Sequence, residues 1–269
     1  MSRALCGFGA MGMVAVNWRA FGGLQGRAYI SVFQNPDFRL RMQRDMRVFG
    51  KLQLWVDPVA RAGPEAMAVD EWLLETATVP VLRVYRWLGD WGSVGYFGAL
   101  DDAMATVPGV RWVRRWTGGG TVDHRADWTY TVVVPAGEML AGLRGVESYR
   151  LIHAALAATL AAEGISVRLS GGTDTTGAAL CFANPVSHDL IDRAGRKLAG
   201  AGQRRTRHGL LHQGSVAVSG KPADFHPRAE VLAACLARDW TRIDCHPPPD
   251  LIARKIADRY ARTAWTDRR

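Results

Sequence analysis

The sequence predicts an α+β domain built on a mixed, largely antiparallel sheet packed by helices. Three observations lead there: short runs rich in β-branched and aromatic residues joined by Gly and Asp turns, a hairpin signal at Ala194-Gly195, and helical segments interspersed with the strands and closing the chain. KLQLWVD (51–57) alternates apolar and polar residues as a strand does. Pro64 then opens PEAMAVDEWLLET, with Met67, Leu73 and Leu74 toward one side, at a position where a first helical turn tolerates proline. VLRVYRW (81–87), GSVGYF (92–97), VRWVRRW (110–116) and WTYTVVVP (128–135) read as strands. SYRLIHAALAATLAAEG (148–164) is the clearest helix, with Ser148 at the N-cap, an apolar stripe through Leu151, Ile152, Ala155, Leu156 and Leu160, and Gly164 at the stop. ISVRL follows as a strand, and GGTDTTGAAL as a small-residue loop. HDLIDR and RKLAGAGQ then form the hairpin, and GLLHQGSVAV another strand. RAEVLAACLARDW and DLIARKIADRYARTAW read as amphipathic helices separated by the prolines at 247–249.

Composition narrows the function classes. With 48% apolar and 22% charged residues in 269, the chain is an ordinary globular protein with enough length for a sizeable core. No apolar run approaches the roughly 20 residues of a membrane span. The cysteines at 6, 181, 235 and 245 have neither CxxC pairs nor framework spacing, so free thiols in a reducing cytoplasm are the simplest setting. Residues 1–50 hold seven arginines and two acids, which leaves the rest of the chain only +4 of the net +9. That is too mild to point to nucleic acid, and there is no aromatic and basic ladder. Residues 1–45 lack clear periodicity and precede a second start at Met46. They read as an extension outside the fold, disordered or preceding the true start, although an Arg-rich, acid-poor leader is also the composition of a transit peptide. Residues 46–269 read as one domain with C-terminal helices.

Three features carry chemistry. VRRWTGGGTVDH (113–124) sets Arg114 and Arg115 ahead of Gly118, Gly119 and Gly120, with His124 beyond. Consecutive glycines let backbone N–H groups approach an anion, and an arginine can fork onto a carboxylate or phosphate; a plain Gly-rich turn is the other reading. Lys197, with Gly200 and Gly202 beside it, can reach over bare backbone to an acyl or phosphate oxygen, against the default of a solvent-facing hairpin lysine. Cys181 follows a small-residue loop and precedes Pro185, where a thiol activated by Lys197 competes with a packing role. Ser187, His188 and Asp189 are no hydrolase triad, because consecutive strand residues point to opposite faces. Cys235, Cys245 and His246 lack a fourth metal ligand.

These signals occur together in one arrangement. Through MAVDEWLLE (67–75), PVLRVYRW (80–87), SVGYF (93–97), VRRWTGGGTVDH, TYTVVVP (129–135), SYRLIH (148–153) and RKLAGAGQRRTRHGLLHQGSV (196–216), the chain resembles the biotin/lipoate protein ligase catalytic-domain family. Within it, the chain is similar to the lipoate-protein ligase A and octanoyltransferase branch. Gly98, and the order His212-Gln213-Gly214, depart from the usual pattern of the cysteine-dependent transferases. The resemblance implies a mixed sheet packed by helices around an acyl tunnel. It implies Cys181 and Lys197 as catalytic, with Arg114, Arg115, Thr117, Gly118, Gly119, Gly120, His124, Gly200 and His212 as substrate-binding residues. About 50 residues follow Val218, too few for the accessory domain of many ligases, which favours acyl transfer. The expected reaction moves an octanoyl or lipoyl group from acyl carrier protein, through a Cys181 thioester, to a lysine of a lipoyl domain or glycine-cleavage carrier protein, with no metal or redox cofactor. The alternatives are an ATP- and Mg2+-dependent lipoate ligase forming lipoyl-AMP and a non-catalytic module that binds lipoyl or biotinyl domains.

Overall fold

The computed structural model describes residues 13–19, 25–31, 47–171, 186–217 and 226–268. Two units result, Met1–Met46 and Arg47–Arg269. In the first, Met13–Arg19 (β1) and Gln25–Ser31 (β2) pair antiparallel, in a segment where the sequence has no clear periodicity.

The second unit runs Phe49–Val56 (β3), Gly63–Thr76 (α1), Val81–Tyr85 (β4), Trp91–Val94 (β5), Leu100–Thr106 (α2), Arg111–Arg114 (β6), Val122–Asp123 (β7) and Trp128–Pro135 (β8). It continues through Met139–Gly142 (α3), Gly145–Ala162 (α4), Arg168–Leu169 (β9), Leu190–Ile191 (β10), Lys197–Thr206 (β11) and Gly209–Val216 (β12). His226–Leu236 (α5), Ala237–Arg242 (β13), Pro249–Lys255 (α6), a π-helical turn Ile256–Tyr260 and Thr263–Thr266 (α7) close it. The main sheet has the order β13-β3-β4-β8-β12-β11-β10-β9. Its β13-β3 and β3-β4 pairs are parallel and the other five antiparallel, so the sheet is mixed and largely antiparallel as the sequence predicts. A smaller sheet, β6-β5-β7, accompanies it.

The alternation of strand side chains divides the interior into two cores. From β8, Trp128, Tyr130, Val132 and Val134 enter one core with Ile152, Leu156 and Leu160 of α4 and Leu232 and Leu236 of α5. Val133, with Val81 and Tyr85 of β4, enters the other with Met67, Leu73 and Leu74 of α1, Val113 of β6, and Ile252 and Tyr260 near the C-terminus. Because both faces are covered, β8 and β12 are buried along almost their whole length, and β8 reads as a nearly continuous apolar run.

Several boundaries differ from the sequence reading. Helix α4 starts at Gly145, one turn before the expected cap at Ser148, whose hydroxyl instead reaches Gln203 Oε1 on β11 at 3.0 Å. Its C-terminal end is where glycine was expected: Gly164 has φ +80°, and the Ile165 N–H bonds back to Leu160. The segment RAEVLAACLARDW does not stay helical to its end. Its last residues leave α5 to form β13, where they satisfy the otherwise unpaired edge of β3. The final predicted helix is broken by the π-helical turn and then restarts at Thr263. The 92–97 strand ends at Val94, since the chain turns at Gly95 with a Gly98 N–H to Gly95 O bond of 3.0 Å.

The C-terminal segment is fastened from two sides. Glu71 of α1 receives Tyr260 Oη at 2.6 Å, Arg259 Nη1 at 2.5 Å and Lys255 Nζ at 3.1 Å. Arg114 of β6 donates to the carbonyls of Trp265, Thr266 and Arg268, as well as to those of Gly95 and Gly98. Glu71→Ala removes the acceptor shared by three donors and should cost about 2 kcal/mol, the scale of a lost charge-assisted bond, or roughly 4–8 °C in melting temperature. An unchanged melting curve would mean that the segment is held by its apolar contacts alone.

Candidate active site

Two rows of the main sheet form the floor of a cavity. Register places Gly200, Ser215, Thr129 and Tyr85 side by side on β11, β12, β8 and β4, and Gly202, Gln213, Thr131 and Arg83 two residues along on the same face. A cavity lies over this floor, and its walls include Gly200, Gly202, Ser215, Tyr85, Met67, Trp87, Arg115, Gly119, Val122 and His124.

The glycine loop lies over one end of this floor because three chains approach there without side chains. A Cβ on Gly202 would collide with Gly118 O, and one on Gly95 with Gly119 O. Gly119 also has φ +96°, a left-handed conformation that favours glycine. The loop is held by Arg115, whose Nη2 donates to Gly120 O at 2.7 Å and whose Nη1 donates to Ser93 O at 3.0 Å. Thr117 beneath it donates to Gln213 Oε1 at 2.8 Å, and Gln213 Nε2 donates to Asp70 Oδ2 at 2.7 Å. Asp70 pairs with Arg83 at 2.6 Å, and Arg83 with Asp57 at 2.8 Å. Burial alone would raise the Asp57 pKa, but the Arg61 and Arg83 guanidiniums outweigh it and hold the carboxyl below its usual range.

Lys197 comes off the start of β11 and lies across Gly200. Its Nζ is 2.6 Å from the point where a Gly200 Cβ would stand, so only glycine there lets the ammonium rest against the cavity wall. It forms an ion pair of 2.7 Å with Asp189 Oδ2, and both side chains are at most 2% exposed. Asp189 also receives the Tyr149 hydroxyl and the Val186 N–H at 2.7 Å. Burial and the adjacent Asp189 push the Tyr149 hydroxyl well above its ordinary pKa, so it remains a donor. A buried ammonium needs this full set of partners around its counter-ion.

The remaining predicted residues separate by strand face. His124 lies at the cavity, stacked on Trp87 at 4.1 Å between ring centroids, with Nε2 at 2.6 Å from Ser93 Oγ and Nδ1 at 2.7 Å from Asp127 Oδ2. Arg114 does not reach it, since at the end of β6 it lies between Val113 and Arg115 with its side chain on the opposite face and therefore points to the C-terminal segment. His212 likewise lies outside the cavity walls. It faces the helical side beside Tyr149 and His153 and is bonded to Tyr130 Oη at 3.1 Å and Gln203 Nε2 at 3.0 Å. Burial holds it neutral, with its pKa well below the usual value. Cys181 lies outside the described residues. Cys235 and Cys245 pack against different cores, and among the described residues no three His, Cys, Asp or Glu side chains converge as a metal site.

Ser93, Asp127, Tyr149 and Gln213 were not singled out by the sequence. Asp189 was named there only as part of a triad that strand alternation excludes. Its actual partner, Lys197, is brought to it by the hairpin turn at Asp192–Gly195.

A sequence profile described as "Lipoyl protein ligase A/B catalytic domain" matches residues 63–239, two thirds of the chain. The chain belongs to this family. Among its relatives, the "Octanoyltransferase LipM" of Symbiobacterium thermophilum is 34% identical over 60% of this chain and 63% of that protein. The protein of the same name from Carboxydothermus hydrogenoformans is 33% identical over 62% and 66%. The chain thus spans slightly less than two thirds of each. A lipoyl protein ligase fold recurs in solved structures: a lipoate protein ligase of T. acidophilum with bound lipoic acid aligns at a TM-score of 0.63, with 18% identity, over 81% of this chain and 99% of that one. Lipoate-protein ligase A bound with ATP aligns at 0.59, with 19% identity, over 81% and 98%. No helix among the described residues is long and apolar enough to cross a membrane.

His153, on α4 behind Lys197, gives the family member's site a pH signature. Burial lowers its pKa from 6.5 to about 4, against the opposing pull of Asp189. Below pH 6.5 the unfolded chain takes up this proton and the folded one does not, so stability falls as pH drops from about 6.5 to about 4 and levels off below that. The loss from this group should be about 3 kcal/mol. Urea unfolding across this range should show the slope, and His153→Gln should flatten it; an equal slope in the variant would assign the loss to other groups.

Proposed function

We propose that the chain is an octanoyltransferase of protein lipoylation. It takes an octanoyl group from the phosphopantetheine thioester of acyl carrier protein and passes it, through Cys181, to a lysine of a lipoyl domain or of the glycine-cleavage carrier protein. The observation that carries this reading is Lys197, buried and paired with Asp189, lying against a cavity wall kept bare by Gly200. The relatives described as octanoyltransferases support it.

In the first half-reaction the Cys181 thiolate attacks the thioester carbonyl, forming a new C–S bond as the carrier's thiolate leaves. Lys197 and backbone N–H groups of the glycine loop stabilise the oxyanion. In the second, the acceptor amine attacks the acyl-enzyme, a C–N bond replaces the C–S bond, and the thiolate is regenerated as the amine loses its proton. Thioester exchange is nearly balanced, and amide formation drives the cycle. The reaction requires no ATP or metal, and its free thiol fits a reducing cytoplasm.

Incubating the protein with octanoyl-carrier protein, without ATP, should give a hydroxylamine-sensitive octanoyl adduct by intact mass, discharged on adding a lipoyl domain. Cys181→Ser should lose most transfer, while serine at Cys235 or Cys245 should leave it intact. Full activity of Cys181→Ser, together with a need for ATP and free lipoate, would replace this reading with the ligase one. Absence of any acyl transfer under either condition would leave a module that only binds its carrier domain.

Lys197→Ala should lower turnover by about two to three orders of magnitude, the range for loss of one preorganised oxyanion partner. Lys197→Arg should not restore it, since a planar guanidinium is bulkier than the ammonium that fits between Gly200 and Asp189. Near-normal rates in Lys197→Ala would remove the lysine from the chemistry.

A further inference from the structure

Ser93, His124 and Asp127 stand in the order of a hydrolytic triad, with Ser93 Oγ at 2.6 Å from His124 Nε2 and His124 Nδ1 at 2.7 Å from Asp127 Oδ2. They are not placed to do a triad's work. Ser93 is completely buried in the middle of β5, and it is absent from the cavity walls. Its Oγ also receives Arg115 Nη1 at 2.5 Å. A nucleophile must meet its substrate, and this oxygen is enclosed by its own strand and by the guanidinium.

Counting donors gives the arrangement a direction. Arg115 has only donors, so Ser93 Oγ accepts from it. Among the described contacts of Ser93 Oγ, His124 Nε2 is the acceptor open to its hydroxyl proton, so the tautomer that satisfies this buried hydroxyl leaves the lone pair on Nε2. In that tautomer the imidazole proton sits on Nδ1 and is donated to Asp127 Oδ2. Asp127 Oδ2 is also the acceptor for the hydroxyls of Thr129 and Ser215 on the cavity floor. Each group thus donates to the next, from the cation of Arg115 to the carboxylate of Asp127. Stacking on Trp87 fixes the plane of the imidazole in the middle.

At its cationic end this series meets the loop. Arg115 uses Nη1 on both the Oγ and the backbone carbonyl of Ser93 and Nη2 on Gly120 O, so the Ser93 hydroxyl is one of the contacts that set the angle at which the guanidinium holds the glycines. At its anionic end it meets Ser215 and Thr129, the residues in register with Gly200, over which Lys197 lies. We propose that Ser93, His124 and Asp127 are positioning residues: a one-directional hydrogen-bond relay that fixes Arg115, and through it the Gly118–Gly120 loop, relative to the sheet row over which Lys197 lies. The relay rests on the octanoyltransferase reading for its consequence in catalysis, though not for its existence. A shift of the loop misplaces the backbone N–H groups against the acyl carbonyl, and sub-ångström errors of this kind are costly in rate.

Two measurements test it. Nitrogen-15 NMR of the full chain labelled at histidine, with His124→Gln to assign the signal, should show His124 at neutral pH with the proton on Nδ1 and none on Nε2. An Nε2–H tautomer, or an imidazolium, would overturn the relay whether or not the protein transfers octanoate. In steady-state transfer assays, Ser93→Ala and Asp127→Asn should each lower kcat/KM for octanoyl-carrier protein by about tenfold, and the double variant should be no worse than the poorer single one, because both cut one series. Ser93→Thr, which keeps the hydroxyl, should recover most of the loss if its melting temperature matches the parent's. Multiplicative losses in the double variant would mean two independent structural defects and would also overturn the relay. Failure of the wild-type chain to transfer octanoate would remove the function, while the tautomer would still decide the relay.

Discussion

The site depends on backbone meeting backbone without side chains between. The carbonyls of Gly118 and Gly119 lie where side chains on Gly202 and Gly95 would have to be, so a loop between the strands of the small sheet comes directly onto the main sheet. Everything at the cavity is arranged around that contact. Gly200 extends the bare floor and admits Lys197, Arg115 holds the loop from behind, and Thr117 and Gln213 support it from below. Backbone N–H groups can serve an oxyanion only when no side chain stands between them and the reacting carbonyl, and the glycines meet that requirement on both sides.

Charge in this interior is distributed along chains of partners. Arg61, Asp57, Arg83 and Asp70 alternate in sign beneath the floor and end on the neutral Gln213 and Thr117. A second series joins Arg115 to Asp127 through Ser93 and His124, and a third sets Lys197 against Asp189 and Tyr149. A charge removed from water in this way is tolerable only when geometry and hydrogen bonds compensate it. The same networks fix the side chains that border the cavity.

Strand alternation sorts the polar residues with little regard for how they look in sequence. Arg114 and Arg115 are adjacent, yet one clamps the C-terminal segment and the other holds the loop at the cavity. His212 and Gln213 are adjacent, yet the histidine enters the helical layer and the glutamine the site. A motif read as a string assigns both members of each pair to one task, whereas a pleated strand can give only one of them to each face.

The sequence by itself determined the fold class, most of the strands, the helical segments 64–76 and 148–164 and the family, and it drew attention to the glycine loop and to Lys197 beside its glycines. These are legible because side-chain periodicity, turn chemistry and bare backbone are local properties, written in consecutive residues. The structure alone decided the start of α4, the turn of ARDWTR into an edge strand, and the partners Asp189, Ser93, Asp127 and Gln213. Most of these depend on a neighbour distant in the chain: Phe49 and its strand for β13, 31 residues for Ser93 and His124, 88 for Asp127 and Ser215, and 96 for Thr117 and Gln213, while Lys197 meets Asp189 across the hairpin turn. Local propensity has no term for such a neighbour. An unpaired strand edge or an uncompensated buried charge costs more than a helix preference is worth, so the tertiary contact decides.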